Sequence, residues 1–359
     1  MPSATDLPRL LPLHHQGLPS WCDRFLAPAG SGDFFASRAW YDTVLAHALP
    51  QGSQPLLAVG EDCLLLPLLR EGGGRLRSLS TPYTLSWRPL ATRKEDIGGA
   101  ARALGQRLRS EPLVQLDTLD AELPGLDSLL NGMRAAGFLP MTFRHFGNWW
   151  QQLEKGTSWA QYLDGRPPPL RATIQRKLAR AQRESRFELI SCPGAELEAG
   201  IQAYEEVRAK SWKPHEPFPA FDAALMRAAS RCGALRLGVL RSSCGRALAA
   251  QYWVTSGSHA ALLKLAHVEA ERKASPGTVL TARMIEWLID QERVAALDLG
   301  RGDDAYKPLW VQQRRQRMGV LLANPLRPAG LMAVARQAAG RGRRQALQWI
   351  GRRRDENPL

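Results

Sequence analysis

The sequence predicts a mixed α/β protein built from two similar halves. Three observations carry this: apolar residues switch between helical and strand-like spacing, the order of elements repeats across a proline-rich break, and the chain is 359 residues long. That length exceeds what one core usually supports, so two packed domains or one large α/β domain are expected. Hydrophobic residues at 44% and charged residues at 23% fit a globular protein with no dominant biased segment.

Phe34 to Leu49 places Trp40, Val44 and Leu45 at helical spacing, and short apolar runs follow at Pro55 to Val59, Cys63 to Leu69 and Leu76 to Leu79. Ile97 to Leu108 reads as a helix, Leu113 to Leu119 as a strand, and Leu126 to Ala136 as a helix ended by Gly137. The stretch Gly165 to Pro169 then separates an N-terminal unit, 1–165, from a C-terminal unit, 166–326, with a basic tail over 327–359. Past the break come helices at Arg171 to Ser185, Glu196 to Trp212 and Ala220 to Ser230, and strands at Ala234 to Leu240, Ala247 to Thr255 and Ala260 to His267. A helix from Pro276 to Gln291 and a strand at Ala295 to Leu299 complete the unit. Each half thus runs helix, antiparallel strands, helix, strand, which points to a duplicated fold without repeated sequence.

A formal charge of +14 favours an anionic partner: a phosphorylated cofactor, an acidic carrier protein, nucleic acid or a membrane surface. Arg176, Arg180 and Arg183 fall opposite the apolar stripe Ile174, Leu178 and Ala181, so that helix presents a cationic face or simply a solvated one. The tail holds eight arginines from Arg327 to Arg354 among Leu331, Val334, Leu347, Trp349 and Ile350, the pattern of a basic segment lying on an anionic membrane or fraying in solvent. Five scattered cysteines with no C-x-x-C pair argue against a disulfide framework and against a zinc site. No apolar run is long enough to span a bilayer, and no secretory leader pattern opens the chain, so a cytoplasmic protein, peripheral at most, is expected. His14 and His15 read as a surface pair.

Two stretches concentrate chemistry. Ser275-Pro276-Gly277-Thr278 opens a helix with Ser275 suited to the N-cap and Pro276 to the first helical position. Free N–H groups and the helix dipole make that opening either an anion site, with Arg272 and Lys273 just upstream, or an ordinary capped helix. Asp298-Leu299-Gly300-Arg301-Gly302-Asp303-Asp304-Ala305-Tyr306-Lys307 packs glycines, acids, a tyrosine and cations behind a short strand, as a proton-moving site requires or a self-satisfied turn permits.

These residues carry a resemblance. Lys264-Leu265-Ala266-His267, Ser275 to Leu280 and Asp298 to Lys307, with Trp310 after them, resemble cellulose-biosynthesis acetyltransferases of the CelD/BcsL type, within the acetyltransferase (GNAT-like) superfamily and related to Fem-type peptidoglycan aminoacyltransferases. Gln251-Tyr252-Trp253, the Arg171 helix and Phe34 to Trp40 extend it more loosely over most of residues 30 to 320. The resemblance implies two tandem acetyltransferase-like subdomains and acyl transfer from a thioester or ester, acyl-CoA or acyl carrier protein, to an amine or hydroxyl, with a place in envelope or exopolysaccharide metabolism. Arg272 to Thr278 departs from the superfamily's acyl-CoA loop, offering one glycine and a proline.

On that footing Asp303 or Asp304 is the expected base, Tyr306 the acid and Lys307 the stabiliser of negative charge. Lys264, Arg272, Lys273, Ser275, Gly277 and Thr278 would hold the donor, and Gln251, His267, Arg301 and Trp310 the substrate, with no metal. All of this expects the Ser275 turn and the Lys307 cluster to face one cavity. Two rivals stand beside it: an aminoacyl-tRNA-dependent transferase of the Fem kind, and a non-catalytic protein gripping nucleic acid or membrane through its basic surfaces. No helix-turn-helix, zinc finger or aromatic-basic RNA motif supports sequence-specific nucleic-acid binding.

Overall fold

A computed structural model describes residues 9–13, 17–28, 32–93 and 96–339. His14, His15 and the tail beyond residue 339 lie outside the described residues, so the expectations for them are not carried further. The N-terminal half contributes β1 (Arg9–Pro12), α1 (Arg38–His47), β2 (Gln54–Gly60), β3 (Leu64–Arg70), β4 (Leu76–Ser78), β5 (Leu90–Ala91), α2 (Ile97–Arg107), β6 (Leu113–Leu119), α3 (Leu126–Ala135) and β7 (Leu139–Gln152). The short helix α4 (Trp159–Asp164) and α5 (Pro168–Glu184) flank the proline-rich break. The C-terminal half follows with β8 (Ser185–Ile190), α6 (Ala195–Ala209), α7 (Phe221–Arg231), β9 (Leu235–Ser242), β10 (Ala247–Ser256), β11 (His259–His267), α8 (Pro276–Asp290), β12 (Ala296–Arg301), α9 (Lys307–Trp310) and β13 (Gln313–Ala323). A helical segment over 328–339 comes last, and among the described residues no helix is long and apolar enough to cross a membrane.

All thirteen strands join one sheet in the order β1-β2-β3-β4-β6-β13-β7-β12-β11-β10-β9-β8, with β5 paired to β3. Read from either end this order is the same once the halves are matched, β1 with β8 through β6 with β12, and β13 with β7. Each half has a single parallel pair, β4 with β6 and β11 with β12, among antiparallel ones. Each half also carries an irregularity at the matched place. Thr118 (φ 59°) lies where β6 shifts register against β13, and Gly300 (φ 74°) where β12 shifts against β7. Duplication, expected from element order, is therefore visible in pairing and backbone.

The sequence reading overlooked β1, β5, β7, β8 and β13. The last strand of each half crosses over: β13 pairs with β6 of the N-terminal half and β7 with β12 of the C-terminal half, and the two pair with each other along eleven positions. The sheet runs unbroken through the centre, and each half borrows the strand that completes it.

Period-two alternation distributes the core. In β3, Leu65 and Leu69 face one side and Leu64, Leu66 and Leu68 the other, so burial on both faces makes the run continuously apolar. One face carries a single core shared by both halves, in which Val44 and Leu45 of α1, Tyr204 of α6 and Phe221 of α7 meet Leu57, Leu237 and Tyr252 of the sheet. The opposite face has two separate cores, one under α2 and α3 and one under α4, α5 and α8. Helix α5 buries Leu170 and Ile174 of its apolar stripe, with Leu178 and Ala181 packed at the margin, as the spacing predicts.

Candidate active site

Strands β11 and β12 pair only at His259, Ala260 and Ala261 with Ala296, Leu297 and Asp298. Beyond Ala261 they part, because β11 continues along β10 while β12 turns to β7. Gly300 marks the point of parting: a side chain there would put its Cβ 2.8 Å from the Leu262 carbonyl oxygen. A cavity of about 280 Å³ opens in the fork. In β11 the register against β10 slips between Tyr252/Lys264 and Trp253/Leu262, so Leu263 is an extra residue, a bulge at the cavity wall.

The fork brings together five of the expected residues, Lys264, Arg301, Asp304, Tyr306 and Lys307. Lys307 is 3% exposed; its ammonium donates to the carbonyls of Arg301 and Gly302 and lies 3.0 Å from the Asp304 carboxylate, bracing the loop that carries them. Arg301 lays its guanidinium over Phe146 at 4.5 Å. Tyr306 is enclosed; burial pushes its phenol up, which keeps it protonated, and its hydroxyl has no partner among the described residues.

Other walls were not anticipated. The segment after β4 sends Tyr83 and Leu85 across from the N-terminal half, and the loop between α6 and α7 supplies Lys213. The Lys264 ammonium sits 2.7 Å from Glu216 and 4.2 Å from the centre of the Tyr83 ring. Glu216 also accepts from Arg208 at 2.7 Å and from the Tyr83 hydroxyl at 2.9 Å. Burial works against the Glu216 carboxylate, but these donors, Lys264 foremost, outweigh it and hold it down to about 2. Lys213 has no carboxylate partner among the described residues; its ammonium lies 5.8 Å from the Trp212 ring centre. Burial first, then the nearby Lys264 and Arg208, push it down to about 8. The signal for Lys213 in the sequence is faint: a charged residue in the turn Trp212-Lys213-Pro214-His215, with no spacing that ties it to Lys264.

The remaining expected residues are not in this cavity. Asp303 is on the surface, chelated by Arg314 at 2.7 and 2.8 Å and bonded by the Trp149 indole at 2.9 Å; the Arg314 bond chiefly holds its carboxyl down to about 2, which leaves a very weak base. Gln251 points the other way, under α8, with its carbonyl oxygen 3.5 Å from the Thr281 hydroxyl, because its neighbour Tyr252 takes the cavity side. Trp310 is buried in the α8 core, and its carbonyl accepts from the Tyr162 hydroxyl and Arg166.

The start of α8 is a separate place. Ser275 stands at the N-cap as expected, but in a left-handed conformation, φ 57°, from which its side chain caps no helical N–H. Its carbonyl instead accepts from Val279, and Pro276 takes the first turn as expected. Arg272 is exposed 3.7 Å from Glu269, and the Lys273 carbonyl accepts from Lys177 of α5 at 2.7 Å. Ser275, Gly277 and Thr278 do not line the cavity that holds Lys307. Between the two places stands His267: its ring is 4.4 Å from that of Trp212, and Gly277 packs on it so closely that a Cβ would come 3.3 Å from Nδ1. Burial lowers the His267 pKa, so the ring is neutral at pH 7. The single cavity expected to face both segments is thus divided along β11.

Residues 170–308 match the model of a family described as "Acetyltransferase (GNAT) domain". No curated protein matches the sequence. Among solved structures, FemX shares the fold with a TM-score of 0.54 at 12% identity, covering 89% of this chain and 98% of FemX. L-PGS from Bacillus licheniformis does so with a TM-score of 0.52 at 14% identity, covering 80% of this chain and 89% of that one. The matched segment contains Lys213, Lys264, Tyr306 and Lys307 of the cavity.

Proposed function

We propose that this protein is an acyltransferase whose reaction takes place in the fork between β11 and β12. The GNAT-type acetyltransferase domain over residues 170–308 supports the reaction class. The observation that carries the reading is chemical. Two polar groups with no hydrogen-bond partner among the described residues, the Lys213 amine and the Tyr306 hydroxyl, line one cavity; the lowered Lys213 pKa makes the neutral amine available as a base, and the raised Tyr306 pKa keeps the phenol a protonated hydrogen-bond donor.

The donor's activated carbonyl sits at the bulge, where the backbone N–H of Leu263 and the cations of the fork receive the developing oxyanion. Neutral Lys213 takes the proton of an amine or hydroxyl acceptor as its nitrogen or oxygen bonds to the carbonyl carbon. The carbon–sulfur or carbon–oxygen bond of the donor then breaks, and Tyr306 protonates the leaving group. Lys307 and Asp304 hold the loop in place, and Lys264, neutralised by Glu216, positions the donor.

An acyl thioester, acyl-CoA or acyl carrier protein, is the first reading of the donor; cytoplasmic action on an envelope or exopolysaccharide precursor is the setting that goes with it. Aminoacyl-tRNA is the second reading, favoured by the fold shared with FemX and by the exposed Arg176 and Arg183 along α5, beside the Lys177 contact to the α8 start. Thermal unfolding with acetyl-CoA, longer acyl-CoAs, acyl carrier protein and charged tRNA separates them. The true donor stabilises the native state by ~2.7 kcal/mol at a hundredfold excess over its Kd. If none of these raises the midpoint, and none is consumed when mixed with amines and alcohols, the acyl-transfer reading is wrong.

A further inference from the structure

A second cavity, of about 310 Å³, lies beside the first on the face that carries the shared core. Leu85, from the N-terminal half, lines both. The second cavity sits at the seam where the borrowed strands cross: Arg315 and Arg317 come from β13, Trp150 from β7, and Asp33 with Phe34 from the segment before α1.

Its charges are set apart in an unusual way. Arg315 is fully engaged, donating to Asn148 at 2.6 Å and Asp298 at 2.7 Å with its guanidinium 4.8 Å from the Trp150 ring centre. Arg317, whose side chain is 5% exposed, donates from one terminal nitrogen to Asp120 at 2.6 Å, and its Nε is buried without a partner. Asp33 accepts from the Phe35 N–H at 3.0 Å and lies 3.7 Å from Arg88. Asp33 and Arg317 therefore line one enclosure with opposite charges, each paired elsewhere and not with the other.

An unpartnered donor on a buried guanidinium is costly unless something accepts from it, and the planar fork of arginine suits a carboxylate. Burial, and after it the repulsion from Arg315, lowers Arg317's hold on its proton, so an anion would relieve both. Asp33 in the same lining suits an ammonium or amine, and Phe34, Trp150 and Leu85 add apolar surface. A carboxylate, an amine and a short apolar body within that volume describe a free α-amino acid.

We propose that the seam cavity binds a free α-amino acid, carboxylate on Arg317 and amine towards Asp33, as the acceptor of the acyl group. The step rests on the acyl-transfer reading above: the bound ammonium gives one proton to Asp33, the freed amine moves past Leu85 into the fork and bonds to the donor carbonyl carbon while its second proton passes to Lys213, and the donor's leaving group departs with a proton from Tyr306.

Calorimetric titration of the whole protein with L-phenylalanine against phenethylamine, and L-lysine against cadaverine, tests the site, after a thermal-shift screen of the twenty standard amino acids picks the tightest side-chain class. The expected result is at least ~10-fold tighter binding of the amino acid than of its amine, abolished in Arg317→Met and unaffected in Asp303→Asn, on the surface outside both cavities. Because Arg317→Met also strips Asp120 of its buried partner, Ser86→Phe serves as a second variant: it fills the cavity, leaves Arg317 intact, and should abolish binding of both members of each pair. No stabilising amino acid in the screen, no preference for the carboxylate, or a preference that survives Arg317→Met overturns the proposal. Carboxylate-dependent binding with no donor consumed upholds the site and sinks the acyl-transfer reading instead.

Discussion

The two forks of the sheet are duplicates that have diverged. In the C-terminal half β11 and β12 part around a cavity with Lys213, Lys264 and Tyr306 in its walls. In the N-terminal half the corresponding strands pair only at Leu76 and Arg77 with Val114 and Gln115, and the space beyond is closed. Trp87, 1% exposed, fills it, with its backbone N–H on the Thr118 carbonyl and its indole on the Pro67 carbonyl. The Ser78 hydroxyl accepts from the Asp117 N–H at 2.9 Å, and Arg77 pairs with Asp117 at 2.7 Å. The segment between β4 and β5 leaves that closed fork and delivers Tyr83 and Leu85 to the open one. One repeat kept the cavity; the other became its outer wall.

The comparison breaks most sharply at Lys213. Lys213→Met should lower turnover by about 10²–10⁴-fold with the thermal midpoint nearly unchanged. In the wild type kcat/KM should climb with pH through about 8, as the lowered Lys213 pKa leaves neutral amine above that value and ammonium below it, and the variant should lose this limb. A flat wild-type profile would remove Lys213 from the chemistry. Trp87→Ala tests the closed fork: it should cost about 3–5 kcal/mol of stability in denaturant titration, as deleting a large buried ring does, while the folded fraction keeps its affinity for donor.

The contact between the repeats has its own signature. Glu216, depressed below its unfolded value, contributes stability that is fully present above the ordinary carboxylate range and lost as pH falls through about 4 to 2. Allowing for its partial exposure, Glu216→Gln should cost on the order of 2 kcal/mol at pH 7 and little at pH 2, measured by unfolding at both. The smallest effect is expected at Asp303, whose carboxylate serves Arg314 on the surface. Asp303→Asn should leave turnover within about threefold, since exposed ion pairs contribute little; a hundredfold loss would return the base role to it.

Much of the architecture was readable from spacing. The helices α1, α2, α3, α5 and α8 and strands β2, β3, β6, β10 and β11 emerge from apolar periodicity, and so does the echo between halves. The two central strands did not, for a reason the sites explain. Strand β13 opens Gln313-Arg314-Arg315-Gln316-Arg317, and β7 carries Arg144, His145, Asn148 and Trp149-Trp150, because this part of the sheet faces charged networks and the seam cavity in place of an apolar layer. Such strands lack the clean alternation that identifies a half-buried strand. Within the site, Lys264, Arg301, Asp304, Tyr306 and Lys307 lie in stretches whose mixture of ionisable groups stands out. Lys213, 51 residues before Lys264, and Tyr83, 181 residues before it, reach the cavity only through tertiary folding. Gln251 and Tyr252 show the limit at the finest scale: adjacent residues on a strand face opposite sides, and a sequence alone does not say which side holds the substrate.

The crossing of the last strands sets a timetable for synthesis. As the polypeptide leaves the ribosome, β6 is made first, and the partner that covers its edge, residues 313–323, emerges only after nearly two hundred further residues. Until then the first-made half keeps an exposed hydrogen-bonding edge, the kind of surface on which nascent chains stick to one another. A translation arrest near residue 300 would leave that edge open even though β7 is already present for β12; only the synthesis of residues 313–323 closes the first-made half.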